Sequence, residues 1–335
     1  MKKTVVLIMI ALLCAGMSAH AGYVTNSVSE IQVPLSGDGY DRYLSGFDYD
    51  SSGNIIAYTG KNLVKVSATG AFLGNIYEDG PSLGGSFVKV DRANGKIYFG
   101  EASTGTIRSI NIDGSGISTI ATINNNYDMV IDSSGRLLVS ASEDWTTTDL
   151  WAITLGSGGV TTSHFGSFNG AAGALALAAD GSLYYGTAGS YGTPAGAQSI
   201  YSWSTAALNS AIGGGAALAA SSDSLVIDHI NNVAGLAIDG TGALYFATAQ
   251  GSPSCIWKVA DGDKTEIAHT STSSYMTTLR YNPLTGNLDA NVGFIGTARG
   301  VVASVNPVPE PSSCLALASL GMAGLAIRRR RSLRA

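Results

Sequence analysis

The chain has 335 residues, and its 19 Lys and Arg against 24 Asp and Glu give a net charge of −5. Phosphate binding needs a basic face, so this acidic balance argues against nucleic acid as a partner. Only 13% of the residues are charged while glycine occurs 43 times, a composition that favours β-structure with many turns over helix.

The N-terminus has the three parts of a secretory signal peptide. Lys2 and Lys3 precede the apolar run Val5–Leu13, and Ala19 and Ala21 supply the small residues that a signal peptidase reads. We predict a signal peptide over residues 1–21 with cleavage after Ala21. The exported body then keeps one cysteine, Cys255, so its stability has to come from a packed core rather than an internal disulfide.

A three-strand pattern occurs six times between residues 22 and 305. Each copy has an apolar strand, a turn that ends in glycine, a second apolar strand and a third strand. The six turn glycines are Gly53, Gly95, Gly135, Gly181, Gly242 and Gly286. They are about 47 residues apart on average, close to the roughly 40–45 residues of a four-stranded propeller blade. The sequence therefore predicts an all-β fold, a six-bladed β-propeller of four-stranded antiparallel blades.

Five copies are followed by a fourth, outer strand, but no such strand follows Val305. Residues Ser29–Val33 precede the first copy and are predicted to form a strand that has no other partner. We predict that they complete blade six beside Val301–Val305, which would close the ring and remove an exposed edge. The Ala/Gly/Ser-rich stretch Ser204–Ser222 is predicted to be a loop or short helix inserted in blade four.

The recurring strand-Asp-x-x-Gly-strand unit over Gly46–Val305 resembles the broad class of six-bladed propellers that includes NHL-repeat and SMP-30-like proteins. Such folds serve binding and catalysis alike. For SMP-30-like lactonases the resemblance implies a Glu, an Asn and an Asp around one divalent metal at the channel mouth. No such set can be matched to this chain residue by residue.

The loops that join each outer strand to the next inner strand are expected to meet at one mouth of the channel. The candidate ligand-binding residues in these loops are Tyr43, Asn126, Asp128, Asn169, Asn232 and Tyr275. Amide, hydroxyl and phenol groups together suit a carbohydrate or a peptide. The alternative is that asparagine occurs there because it favours turns.

Asp48 and Asp50 stand at alternate positions before Gly53, as oxygen ligands do in calcium loops. Thr59 occupies the position where such a loop needs a bidentate Glu, so we favour a hairpin turn, keep Ca²⁺ as the alternative and expect no cofactor. Lys89 and Arg280 interrupt apolar first strands. They would either line the channel or pair with Asp48 or Asp128, and the sequence does not choose.

The C-terminal stretch from residue 306 to 335 combines three features. Pro309, Glu310 and Pro311 come first, the apolar run Cys314–Ile327 follows, and Arg328, Arg329, Arg330 and Arg331 come last. The 14-residue run is shorter than the roughly 20 residues of a full span, so only transient insertion in the inner membrane is expected, with the arginines on the cytoplasmic side.

This order resembles the PEP-CTERM sorting signal of Gram-negative bacteria. The resemblance implies processing by an exosortase and delivery to the cell surface or to an exopolysaccharide matrix. We therefore predict an exported, non-catalytic propeller with a binding or structural role, whose partner is polysaccharide or an envelope protein. The alternative is an exported metal-dependent enzyme of the lactonase or lyase type.

Overall fold

The computed structural model describes residues 28–33, 44–59, 61–78, 84–189, 193–248, 254–270, 274–294 and 300–305. These residues form 24 strands and one helix. The strands are β1 (Val28–Val33), β2 (Gly46–Tyr49), β3 (Ile55–Tyr58), β4 (Asn62–Val66), β5 (Phe72–Glu78), β6 (Gly85–Asp91), β7 (Lys96–Glu101), β8 (Thr106–Asn111), β9 (Ser118–Thr122), β10 (Asn126–Ile131), β11 (Leu137–Ala141), β12 (Thr147–Gly156), β13 (Gly159–Asn169), β14 (Leu175–Leu177), β15 (Leu183–Gly186), β16 (Gln198–Trp203), β17 (Leu225–Ile230), β18 (Val233–Ile238), β19 (Leu244–Thr248), β20 (Cys255–Ala260), β21 (Asp263–His269), β22 (Ser274–Asn282), β23 (Asn287–Phe294) and β24 (Gly300–Val305), and the helix is α1 (Thr205–Ile212).

The described strands pair into six antiparallel sheets of four strands each. Blades one to five each use four consecutive strands, beginning with β2, β6, β10, β14 and β18. Blade six has the order β1-β24-β23-β22. The predicted six-bladed propeller is confirmed.

Ring closure occurs where the sequence predicts it. β1 pairs antiparallel with β24, with Val28 opposite Val305 and Val33 opposite Gly300. The N-terminal strand therefore supplies the outer strand of the last blade. Because both partners belong to the same sheet, β24 has no exposed edge, and the disc is held shut by backbone hydrogen bonds.

A side-chain cap fixes the turn between the first and second strands of several blades. Asp50 Oδ1 accepts hydrogen bonds from the backbone N–H groups of Ser52 and Asn54, each at 2.9 Å. The turn then needs a residue with positive φ, and Gly53 has φ of 78°. Asp132 with Gly135, and Asp239 with Gly242, repeat the arrangement.

The hydrophobic core is divided among the interfaces between successive blades. One cluster joins blades three and four through Leu150, Phe165 and Tyr185, and Leu208 of α1 packs into it. Ser204 caps the helix by accepting from the N–H of Ala207, so part of the insertion in blade four folds as the short helix that was one of its two predicted forms. Among the described residues, no helix is both long enough and apolar enough to span a membrane.

The antiparallel order of the strands gives the disc two distinct faces. We call the side where the first strand of each blade begins the mouth face, and the opposite side the hairpin face. The connections between second and third strands share the mouth face with the loops from one blade to the next. The turn at Gly53 and its equivalents lie on the hairpin face, as do Val28 and Val305.

Candidate functional site

A tyrosine crosses the channel near its mouth. The pairing of β10 with β11 shifts register between Asn126 and Asp128, which leaves Tyr127 as the extra residue of a β-bulge. Bulges re-aim side chains, and the Tyr127 hydroxyl donates to the carbonyl of Ala234 in blade five at 2.9 Å. Ala234 lies at a similar register shift, between Val233 and Gly235. The two bulges together bridge blades three and five across the channel.

Charged side chains from four blades form two ion pairs in the channel. Arg280 Nη2 lies 2.9 Å from Asp128 Oδ1, and Lys89 Nζ lies 3.5 Å from Asp48 Oδ2. Burial by itself would raise the pKa of Asp48, but the positive charges of Lys89, Arg280 and Arg92 outweigh it and lower that pKa. Lys89 and Arg280 therefore line the channel and also pair with the two aspartates, so the alternatives that the sequence left open both hold.

The same carboxylates complete the hydrogen bonding of neighbouring inner strands. Asp48 Oδ2 accepts from the N–H of Val90 at 2.9 Å, and Asp128 Oδ2 accepts from the N–H of Leu175 at 3.0 Å. An inner strand has one edge without a partner strand, so its buried N–H groups need another acceptor. Asp48 therefore links blade one to blade two, and Asp128 links blade three to blade four.

Asn126 is also engaged within the protein. Its side chain is 1% exposed, its Nδ2 donates to the carbonyls of Ile123 and Glu101 at 3.0 and 3.3 Å, and its Oδ1 accepts from the Ser86 hydroxyl. Two of the predicted mouth residues, Asn126 and Asp128, therefore hold the loop and the channel in place.

The described residues near the mouth do not fit the metal set implied by the propeller resemblance. The side-chain oxygen of Asn126 accepts from the Ser86 hydroxyl, and the two oxygens of Asp128 accept from Arg280 and from the N–H of Leu175, so these oxygens are already used within the protein. Asp48 faces the channel, whereas Asp50 closes its hairpin and pairs with Lys65 at 2.8 Å. Within the described ranges, no three His, Cys, Asp or Glu side chains converge as metal ligands.

A cavity of about 400 Å³ opens on the mouth face between blades three and four. Its walls come from the end of β13, from the connection between β15 and β16, and from the insertion after α1. The lining residues are Thr146, Phe168, Asn169, Gly170, Thr187, Gly189, Thr193, Ala197, Gln198, Ser199, Tyr201 and Ala220. None of these described residues is charged.

Amides, hydroxyls and aromatic rings are arranged together around this interblade cavity. The rings of Phe168, Tyr201 and Trp203 form one aromatic cluster, in which the centroid of Tyr201 lies 6.2 Å from that of Phe168 and 6.1 Å from that of Trp203. Asn169 is exposed at the rim. Asn232 supports the opposite wall, because its Oδ1 accepts from the N–H of Gly189 at 2.9 Å. The structure therefore brings Asn169 and Asn232 to one cavity and separates them from Asn126 and Asp128.

The remaining predicted residues lie outside the described side chains. They are Tyr43, Tyr275, the cleavage residues Ala19 and Ala21, and the sorting residues Pro309, Glu310, Pro311, Arg328, Arg329, Arg330 and Arg331. Sequence reasoning missed Thr187, Gln198 and Tyr201, since it considered only the loops between blades. The connection from β15 to β16 is rich in Gly, Ser and Thr, which was the available signal.

Comparison with known proteins identifies the tail. The PEP-CTERM protein-sorting motif matches residues 307–331, as the sequence predicted. The motif identifies the chain as an exported protein with a C-terminal signal that an exosortase processes. No curated protein sequence matches the chain at a significant level.

Solved structures similar to the chain include SMP-30/gluconolactonase-like proteins. A luciferin-regenerating enzyme superimposes with a TM-score of 0.59 at 15% identity, covering 84% of this chain and 95% of that one. A gluconolactonase from Xanthomonas campestris gives 0.59 at 11% identity, covering 86% and 92%. Virginiamycin B lyase from Staphylococcus aureus gives 0.52 at 12%, covering 84% and 90%. At these identities the likeness concerns the fold alone.

Proposed function

We propose that the protein is a non-catalytic binding module of the cell surface or extracellular matrix, which holds a polysaccharide in the interblade cavity between blades three and four. A signal peptide over residues 1–21 and a sorting tail over 306–335 would be removed on the way. The uncharged, amide- and hydroxyl-rich lining of the cavity carries the proposal.

The chemistry of the cavity matches that of a neutral sugar chain. The side-chain amides of Asn169 and Gln198 each carry a donor and an acceptor, which a sugar hydroxyl can use in either direction. The Thr187 hydroxyl is already bonded to the backbone of Ser199. The half-buried ring of Tyr201, which packs against the buried Phe168, adds aromatic surface for the apolar face of a sugar ring. A volume of about 400 Å³ falls in the range of roughly 300–1,000 Å³ typical of ligand pockets, so one or two sugar units would fit.

The lactonase or lyase alternative takes support from the names of the fold neighbours. A convergent set of carboxylates or histidines at the mouth would favour it. The acids that the structure places near the channel are used in ion pairs instead, Asp128 with Arg280 and Asp48 with Lys89. Binding is therefore the function that the described geometry supports best.

The test is glycan-array binding by the exported protein, followed by titration of any polysaccharide it retains. Asn169→Ala removes an exposed amide at the rim, and Ala220→Trp fills the cavity from an exposed position. Each should weaken binding by about tenfold or more, since losing a hydrogen bond or the room for a sugar ring costs on the order of 1–3 kcal/mol.

Matched controls are Asn75→Ala on the outer strand of blade one and Ala93→Trp in a turn of the hairpin face, both exposed and far from the cavity. These two should bind as the unaltered protein does. Equal binding by all four variants would show that the interblade cavity is not the polysaccharide-binding site. Binding to an envelope protein with no glycan retained would replace polysaccharide as the partner.

A further inference from the structure

A second cavity, of about 240 Å³, lies on the hairpin face at the seam between blade one and blade six. Its described lining residues are Ile31, Tyr49, Gly53, Ile55, Ala68, Thr69, Asn282, Thr285, Asn287, Asp289 and Ser304. We call it the seam cavity. It shares no lining residue with the interblade cavity and lies on the opposite face of the disc.

One buried carboxylate faces the seam cavity with an oxygen left unused. Asp289 is 3% exposed, and its Oδ2 accepts from the hydroxyl of Tyr49, which is itself buried. Asp289 Oδ1 has no hydrogen-bond partner among the described residues. Buried polar atoms nearly always have a partner, so this buried acceptor on a residue that lines the cavity leaves one hydrogen bond for a donor from outside the chain.

No cation of the described chain compensates this carboxylate. Its cross-strand neighbour Arg280 extends into the channel to Asp128. In blade one, Lys65 pairs with Asp50. The pKa of Asp289 is raised because the group is buried, although the nearby polar groups of Ser304, Tyr49 and Asn282 lower it in part. Burial and the negative charge of Asp289 raise the pKa of Tyr49 as well, so Tyr49 stays a donor.

We infer that the seam cavity binds a small solute through a primary ammonium group, which donates to Asp289 Oδ1 and supplies the missing positive charge. The remaining N–H donors of the ammonium would be met by the oxygens of Thr69, Thr285, Asn287 or Ser304. Ile31, Ile55 and Ala68 provide an apolar wall for its carbon skeleton. The volume limits the solute to about one sugar ring or one amino acid, below the roughly 300 Å³ of drug-sized pockets.

The other occupants satisfy the site less well. A neutral sugar can donate to Oδ1 but leaves the buried charge without a counter-charge, which is costly in a low-dielectric site. A divalent cation such as Ca²⁺ takes 6–8 oxygen ligands, usually with several carboxylates, and Asp289 is the one carboxylate in the described lining.

A matched pair of probes separates charge from shape. We would titrate the full-length exported protein with glucosamine and with glucose and follow binding by saturation-transfer NMR. The two sugars differ only in that glucosamine has an amine in place of one hydroxyl of glucose. Glucosamine should bind at least about tenfold more tightly than glucose. As the pH rises through the raised pKa of Asp289, glucosamine binding should strengthen because the carboxyl ionises, provided that the pH stays below the pKa of the amine.

Asp289→Asn keeps the shape and the acceptor for Tyr49 but removes the charge, so it should reduce glucosamine binding by about tenfold or more. The control Asp113→Asn changes an exposed aspartate in a distant turn and should leave binding unchanged. A cooperative thermal transition of Asp289→Asn, at a melting temperature no lower than that of the unaltered protein, would show that the fold is kept.

Equal affinity for the two sugars, binding that survives Asp289→Asn, binding of Na⁺ or Ca²⁺ with no effect of glucosamine, or no binding at all would each overturn the inference. The variant Asn169→Ala of the interblade cavity should leave glucosamine binding intact. A failure of the polysaccharide proposal and a failure of the seam-cavity inference are therefore distinguishable.

Discussion

Asp128 contacts three blades although it belongs to only one. It lies in blade three, pairs with Arg280 of blade six, and accepts from the N–H of Leu175 in blade four. Both members of the ion pair are largely buried, with 8% of each side chain exposed. A buried pair adds little stability over an apolar pair of equal volume, but removing one member leaves the other charge without compensation.

We therefore expect Asp128→Ala to lower the free energy of unfolding by about 3–5 kcal/mol, measured by urea denaturation. Arg280→Met alone should also destabilise. The double variant should lose less than the sum of the two, since it leaves no lone buried charge. Asp180→Ala, which removes an exposed turn aspartate, is the control and should cost under about 1 kcal/mol. Strict additivity of the two channel variants would contradict the coupling.

The pH dependence of stability should reveal Asp289. Its folded pKa is raised by burial, so it binds a proton more readily in the folded than in the unfolded state. The stability from this proton uptake is fully present below the unfolded pKa, near 3.9, and is lost as pH rises through the folded pKa.

Asp289→Asn should therefore be more stable than the unaltered protein at neutral pH, with the difference shrinking or reversing in acid. The measurement is the melting temperature of both proteins from neutral pH down to acid pH. Asp48 has the opposite shift, because the charges of Lys89, Arg280 and Arg92 overcome the effect of its burial. Asp48→Asn should accordingly be most harmful at neutral pH. The same pH profile for both variants would contradict these assignments.

Among the elements, the inner strands have the least room, because six of them converge on one channel. A Cβ on Gly235 of β18 would lie 2.4 Å from the backbone nitrogen of Leu279 in β22. No real Cβ comes so close to a backbone atom, so the two strands would have to separate.

Gly235→Ala should destabilise the propeller by about 1–3 kcal/mol through this overpacking. The control is Gly158→Ala, in the turn between β12 and β13, where a Cβ meets nothing within 4 Å. That variant should change the free energy of unfolding by no more than about 0.5 kcal/mol. Similar melting temperatures for the two variants would show that β18 and β22 are not packed as described.

The strands and their closure could be predicted from the sequence because their signals are local. Apolar runs, turn glycines such as Gly53 and Gly135, and the spare strand before the first blade are visible without knowing which residues meet. Asp128 and Arg280 are 152 residues apart, and no local pattern in either segment indicates that the two side chains pair.

The functional sites were harder to predict from the sequence, because they too depend on contacts between distant residues. Asn126 and Asn169 occupy equivalent loops and look alike in the sequence. A bulge at Tyr127 and the Ser86 hydroxyl bury the first, whereas the second stays exposed beside the interblade cavity. Both cavities are formed between blades, so their walls combine residues from distant repeats. Only the sorting motif, a contiguous signal, could be recognised at once.

At the scale of the whole molecule, the sorting motif and the propeller are separable parts. The motif begins at residue 307, immediately after the last described strand ends at Val305. Deleting Pro309–Ala335 removes no described strand, so the propeller should fold and be exported as a soluble protein.

Fractionation of the cell envelope and the medium would test this. We expect the deletion variant in the soluble fraction and the unaltered protein retained at the envelope or in the matrix. The control is a substitution within the propeller, Gly158→Ala, which should leave sorting unchanged. Retention of the deletion variant at the envelope would show that the propeller, and not its tail, fixes its position.

The pairing of β1 with β24 has a consequence for how the disc is presented. Val28 and Val305 are opposite each other, so the chain enters and leaves the last blade on the hairpin face. A tether joined to the C-terminus would hold the protein from that side. The interblade cavity would then face away from the attachment, while the seam cavity, lined by Ser304 next to the last strand residue, would face towards it.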